Sequence, residues 1–196
     1  MSSTLPEQFI ATESPNVTSP DVNALTLAAV RYCTAGWPIL PVCHPTADRL
    51  VCGQTPRDPE TAREWWSDQP YGIACRTGVL FDALQVPPWL GRRLLPAVEH
   101  YASVIEIERS LRAVWLFLVT AGSRRIPDLP RAAAVRLYGK DEWVLLPPTP
   151  TLGGSTRWIA HPPKPQLPHS LTLQWAVVRT INKVRHEIAN SRQRRP

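Results

Sequence analysis

The sequence has no run of about 20 apolar residues, the length that an α-helix needs to cross a bilayer. Residues 1–21 do not combine a basic stretch with an apolar one, so they do not resemble a secretory signal. Cysteine is scarce, with 4 residues in 196. These absences argue against a membrane-spanning or exported protein. They predict a cytoplasmic protein whose cysteines are reduced thiols.

Proline, in contrast, is abundant. The chain has 22 prolines in 196 residues, about twice the usual share of roughly 5%. Because proline interrupts regular structure, this content argues against a long helical bundle. The hydrophobic fraction of 43% is sufficient for a core, and 196 residues suit one domain or at most two small ones.

The charge of the chain is moderately positive. There are 22 Lys and Arg residues against 16 Asp and Glu, which gives a formal net charge of +6. That balance is compatible with a polyanionic partner but does not specify one. DNA, a nucleotide or another protein therefore stay open as partners, and no membrane partner is expected.

Hydrophobic periodicity predicts helices on both sides of a strand-rich centre. The predicted helices are 24–34, 58–70, 88–101 and 170–189. The predicted strands are 37–42, 73–75, 79–84, 103–107, 113–120, 135–138, 142–146 and 157–160. This order predicts an α+β fold with a mixed central sheet flanked by helices and a C-terminal helix. The predicted units are a disordered leader (1–20), the domain (21–162), a C-terminal helix packed on it (163–190) and a basic tail (191–196).

Two of these predictions concern local geometry. The strands 135–138 and 142–146 are predicted to form a hairpin about the turn Gly139-Lys140-Asp141. In the C-terminal helix, an inward face is predicted for Leu171, Trp175, Val178 and Ile181.

Several short motifs follow one another in a recognisable order. They are AGWPILP at 35–41, DPETAREWW at 58–66, GIACRTG at 72–78, and WVLLPPT at 143–149 followed by Gly153-Gly154 and Arg157-Trp158. Together they resemble the N-terminal domain of bifunctional DNA primase/polymerases, the prim-pol family of the archaeo-eukaryotic primase superfamily. The resemblance covers about residues 24–160. The stretch FDALQVP at 81–87 is similar to that of short actinobacterial prim-pol-like proteins.

The resemblance implies a two-metal polymerase site from which most ligands are missing. Active members carry an acidic pair at positions that match Asp82 and Leu84 here. The family's histidine falls near Val114, and a further acid falls near Arg136. A pair of divalent cations needs several converging oxygen ligands. The match therefore predicts a catalytically degenerate domain in which Asp82 is the surviving acid, with Mg²⁺ or Mn²⁺ as cofactor only if the chain is active.

The same resemblance indicates a phosphate-binding surface. It places Arg112, Arg136 and Lys140 on the sheet face where the family holds a nucleotide, so these cations are candidate nucleic-acid or nucleotide ligands. The alternative is that they are scattered, solvated charges.

Two further groups of residues have alternative interpretations. Cys43, His44 and Cys52 suggest a remnant zinc site, but they lack paired CxxC spacing, so loop cysteines are favoured and no metal site is predicted. Stacking on nucleobases is conceivable for the tryptophans in the motifs. Their positions favour core packing for Trp37, Trp65, Trp66, Trp143 and Trp158.

The sequence thus predicts a noncatalytic prim-pol-like protein that binds nucleic acid or a nucleotide, or that serves as a scaffold. One alternative is an active primase/polymerase that uses Asp82 with Glu106 or Glu108, two acids on one strand face. The other is a protein-interaction module without a nucleic-acid role.

Overall fold

The computed structural model describes residues 22–43, 50–51, 53–110, 112–130, 134–162 and 165–193. The helices are α1 (Val22–Thr34), α2 (Pro59–Asp68), α3 (Pro88–Leu94), followed directly by a 3-10 helix (Leu95–Ala97), and α4 (Ser170–Gln193). The strands are β1 (Ile39–Val42), β2 (Gly72–Arg76), β3 (Phe81–Val86), β4 (Val104–Arg109), β5 (Arg112–Thr120), β6 (Arg136–Tyr138), β7 (Trp143–Leu145), β8 (Pro150–Thr151) and β9 (Gly154–Ala160). The predicted leader lies outside the described residues. Among the described helices, none has the length and apolar character required to cross a membrane.

The strands form two sheets. A three-stranded sheet has the order β1-β2-β7, and a six-stranded sheet has the order β6-β3-β5-β4-β9-β8. The predicted α+β class with a C-terminal helix is confirmed. Within both sheets, the pairings between the described strands are antiparallel.

The predicted hairpin about Gly139-Lys140-Asp141 is wrong. β6 pairs with β3 and β7 pairs with β2, so the strands on either side of the turn enter different sheets. The turn itself exists: Asp141 has φ of 64°, and the Glu142 carboxylate accepts a hydrogen bond from the Gly139 amide at 2.8 Å. Short strands with few buried positions specify register weakly, so the pairing is decided by distant partners.

The helix ends follow their local sequence. Asp58 caps α2, since its side chain accepts a hydrogen bond from the Thr61 amide at 2.8 Å, and Pro59 occupies the first turn, where its missing N–H is not needed. Gly36, just beyond α1, has φ of 75°, a conformation that glycine adopts without strain. The helix predicted over 88–101 ends earlier, as α3 and the 3-10 turn.

Two hydrophobic clusters lie on opposite faces of the six-stranded sheet. On one face, α1, α2 and the three-stranded sheet pack against side chains such as Phe81, Leu116 and Leu118. On the other face, α3 and α4 pack against side chains such as Leu84 and Phe117. The side-chain alternation of the central strands therefore separates two layers.

The predicted inward face of α4 is wrong in part. Leu173 and Val177 are buried in the second cluster, whereas Leu171 and Trp175 are 42% and 44% exposed. Gln174 is also buried, and its Oε1 accepts a hydrogen bond from the Ile126 amide at 2.9 Å. A buried glutamine beside exposed apolar residues displaces the apparent apolar face, which is why periodicity alone misplaced it.

Candidate nucleic-acid interface

A cleft separates the two sheets beside β6. It encloses a cavity of about 400 Å³. The six-stranded sheet contributes Arg109, Arg136 and Tyr138, and the β6–β7 connection and β7 contribute Glu142 and Trp143. Two arginines, two acids (Asp141 and Glu142) and two aromatic rings therefore line one opening. A cavity of this volume is usual for a small-ligand site.

The strand register shows which side chains share the face of the six-stranded sheet on which the cleft lies. Gln85 of β3 stands opposite Arg136 on one side and Leu116 on the other, and Arg109 stands opposite Arg112. Directly opposite residues in an antiparallel ladder point the same way, and so do alternate residues of one strand. Arg109, Arg112 and Arg136 therefore lie on one face.

Arg112 and Arg136, two of the predicted nucleotide ligands, lie on a common face of the six-stranded sheet. Of the three predicted cations, Arg136 lines the cavity, whereas Arg112 and Lys140 do not. Lys140 lies in the turn between β6 and β7, where its backbone closely approaches Gly78. Sequence reasoning missed Arg109. The sequence could have indicated Arg109, since it lies directly before the β4–β5 turn and Arg112 lies directly after that turn.

The environment of Arg136 is the best defined in the cleft. Its Nη2 donates a hydrogen bond to Glu142 Oε1 at 2.5 Å, and its guanidinium carbon lies 4.4 Å from the centre of the Tyr138 ring. The hydrogen bond to Glu142 raises the pKa of Arg136, so the cation is held firmly. Arg109 and Arg112 are exposed and form no ion pair with any other described residue.

Asp82 lies on the opposite face of the six-stranded sheet. It stands opposite Val119, a residue of the second cluster, and it is 1% exposed. Its Oδ2 accepts a hydrogen bond from the Ser123 amide at 2.6 Å. Its Oδ1 is buried and has no hydrogen-bond partner among the described residues. The carboxylate therefore anchors the segment after β5 and does not face the cleft.

The positions matched by the resemblance consequently split between two faces. Asp82 and Leu84 point toward the second cluster, whereas Val114 and Arg136 point toward the cleft. Side chains on opposite faces of a sheet cannot converge on one ion.

Glu106 and Glu108 share the face of Asp82 but lie far along the strands. Glu106 stands opposite Trp115, four residues from Val119 on β5, which places it about 13 Å along the sheet from Asp82. Both carboxylate oxygens of Glu106 are engaged. Trp115 Nε1 donates to one at 2.9 Å, and Arg157 Nε donates to the other at 2.6 Å.

The metal pair that the family implies does not fit the described residues. No group of three or more His, Cys, Asp or Glu side chains able to hold a metal ion occurs among them. Of the three residues considered as a zinc remnant, Cys43 is half-buried, whereas His44 and Cys52 lie outside the described residues. Cys75 is a core residue, and burial raises the pKa of its thiol to about 12.

The tryptophans of the motifs lie mostly in the core, as predicted. Trp66 is fully buried and Trp65 is 6% exposed. Trp37 and Trp158 are half-buried and pack edge to face, with ring centres 6.4 Å apart. Trp143 differs, because it packs partly on the core and also lines the cavity.

An α+β domain of two antiparallel sheets that meet at a cleft with arginines on one face, together with the motif order described above, is typical of a primase/polymerase-like domain. The family model of the bifunctional DNA primase/polymerase N-terminal domain matches residues 29–170. The chain therefore belongs to this family, and the resemblance is confirmed. A search of curated proteins found no match.

Proposed function

We propose that this prim-pol domain is a noncatalytic binder of single-stranded nucleic acid, acting in the cytoplasm. The observation that carries the proposal is the division of charge between the faces of the six-stranded sheet. Arg109, Arg112 and Arg136 share the cleft face, and the carboxylate of Asp82 is buried on the other.

The cleft has the two kinds of groups that sequence-independent strand binding uses. Arginines bind backbone phosphates, and aromatic rings stack on bases. Arg109 and Arg112 are exposed where a backbone would pass, and Trp143 borders the cavity between the sheets. A free nucleotide has the same chemistry, so the length dependence of binding distinguishes a strand from a mononucleotide.

The arrangement of the acids in the cleft supports the proposal that the domain is noncatalytic. Nucleotidyl transfer depends on metal ions to neutralise charge on the triphosphate and the attacking oxygen. The cleft acids Asp141 and Glu142 are adjacent in a turn, and Glu142 is already paired with Arg136. A guanidinium at this point opposes the binding of a second cation.

Fluorescence anisotropy with a labelled single-stranded oligonucleotide tests the binding. We expect salt-sensitive binding by the wild-type chain. We expect Arg112→Glu to weaken it and to reduce the slope of log K against log salt by about 0.7. Arg92→Glu, at an exposed position of α3 on the opposite face of the sheet, is a matched control with the same charge change. Absence of salt-sensitive binding, or equal weakening by both variants, would overturn the proposal.

Primer extension with Mg²⁺ or Mn²⁺ tests the noncatalytic part separately. We expect no nucleotide incorporation by the wild-type chain. Incorporation that Asp82→Ala abolishes, while Asp82→Ala still folds, would favour the active alternative instead.

A further inference from the structure

The apolar stripe of α4 continues beyond the domain. Val177 is fully buried, and Ile181 is the last residue of α4 that packs against the second cluster among the described residues. Val184 and Ile188 follow Val177 by seven and eleven residues, so they lie on the same side of the helix. Ile188 is nevertheless 48% exposed. The stripe that holds α4 on the domain thus runs on without a partner in the described chain.

The part of α4 beyond the domain is long enough to form a binding surface. Residues 182–193 extend α4 by about 18 Å beyond its last core contact. These residues continue a helix that is already nucleated on the domain, so only helix propagation stabilises them, and it contributes little per residue. Aligned Val and Ile side chains at this spacing suit packing against a second helix.

The edges of the stripe indicate what kind of helix fits. Arg185 lies on one edge and Glu187 on the other. A second copy of this chain cannot run parallel along the stripe, because the domain body occupies the same side of α4 at Val177. An antiparallel copy would place Arg185 beside its own counterpart and Glu187 beside its own, since such a two-fold contact brings like edges together.

We infer that residues 181–191 of α4 dock an amphipathic helix of a different protein. Its apolar stripe covers Val184 and Ile188, its acidic edge faces Arg185, and its basic edge faces Glu187. This surface is independent of the arginine face in the cleft, and it makes the domain an adaptor between nucleic acid and a protein partner.

A synthetic amphipathic peptide of about three heptads, with Leu in the stripe, Glu along one edge and Lys along the other, serves as the probe. We expect the full chain to bind it, with slowed amide hydrogen exchange over 182–193. We expect Ile188→Asp to weaken binding by about tenfold or more, and Arg185→Glu to weaken it by a smaller factor. Leu171→Asp is the matched control, because Leu171 is similarly exposed and lies about 100° around the helix.

Several results would overturn the inference. Equal binding of a peptide with the same composition but no stripe would show that the contact is nonspecific. Equal effects of Ile188→Asp and Leu171→Asp would show that the apolar stripe is not the docking surface. No effect of Arg185→Glu would show that the charged edge does not contribute to binding. A wild-type dimer in analytical ultracentrifugation that Ile188→Asp dissociates would assign the surface to a second copy. Binding to anionic lipid vesicles without peptide binding would assign it to a lipid surface.

Discussion

Replacement of Asp82 by alanine is expected to destabilise the fold and to leave nucleic-acid binding unchanged. The Asp82 side chain is buried, and its carboxylate accepts a hydrogen bond from the amide of Ser123, which is half-buried. A hydrogen bond to a charged group contributes about 1.5–3 kcal/mol, and an unpaired buried amide costs about 1–3 kcal/mol. The two figures describe the same lost contact and are not additive.

An opposing contribution reduces this loss. Oδ1 of Asp82 has no partner among the described residues, so removing the carboxylate also removes a poorly solvated polar atom. We therefore expect a net loss of about 2 kcal/mol in the free energy of unfolding. Asp82→Asn is expected to lose less, because its amide oxygen still accepts from Ser123.

Urea denaturation followed by circular dichroism measures the change, and oligonucleotide anisotropy is run on the same samples. Asp68→Ala is the control for loss of an acid, since Asp68 is exposed at the end of α2. Unchanged stability of Asp82→Ala would refute the anchoring role of the carboxylate. Unchanged stability with weaker oligonucleotide binding would place Asp82 at the ligand, against its position in the sheet.

Two further variants probe the packing and the pH response. Gly91→Ala is expected to cost about 1–3 kcal/mol in urea denaturation, because a Cβ there would lie 2.4 Å from the Trp115 ring, whereas Gly53→Ala, with open space, is the control. His161 stacks on Trp158 and lies 2.9 Å from the Ser103 hydroxyl, and burial lowers its pKa. As pH falls, His161 of the unfolded chain therefore binds a proton at a higher pH than His161 of the folded chain. The folded state consequently loses stability as pH falls below about 6.5. We expect His161→Gln to reduce the difference in stability between neutral and mildly acidic buffer. The reduction is modest, since the ring is partly exposed. An unchanged pH dependence of stability would contradict this expectation.

The features that the sequence predicted well are encoded locally. Asp58 and Pro59 fix the start of α2 through one hydrogen bond and one missing N–H, both of which are properties of adjacent residues. The buried side chains of β5 form a continuous apolar run, typical of a central strand covered on both faces. Motif order identified the family because each motif coincides with such an element.

The features that it missed depend on distant partners. The residues around Gly139 satisfy the local rules of a hairpin, yet β6 joins β3 and β7 joins β2, which are partners distant in the sequence. The inward face of α4 depends on Gln174, which is buried because it bonds to the backbone near Ile126. Nothing in the sequence around Gln174 predicts that contact.

The assignment of a site residue from a sequence motif depends on which face of the sheet each position of the strand occupies. A shift of one position along β3 moves a side chain to the other face of the sheet. The β3 residues on the cleft face are Phe81, Ala83 and Gln85, and Gln85 accepts a hydrogen bond from the Tyr138 hydroxyl at 3.1 Å. None of these three carries charge at neutral pH, so β3 brings no carboxylate to the cleft whether Asp82 is aligned with the family acid or not. The cations on the cleft face therefore come from β4, β5 and β6, and the acids Asp141 and Glu142 come from the β6–β7 connection. The arginines favour a bound polyanion over a pair of metal ions.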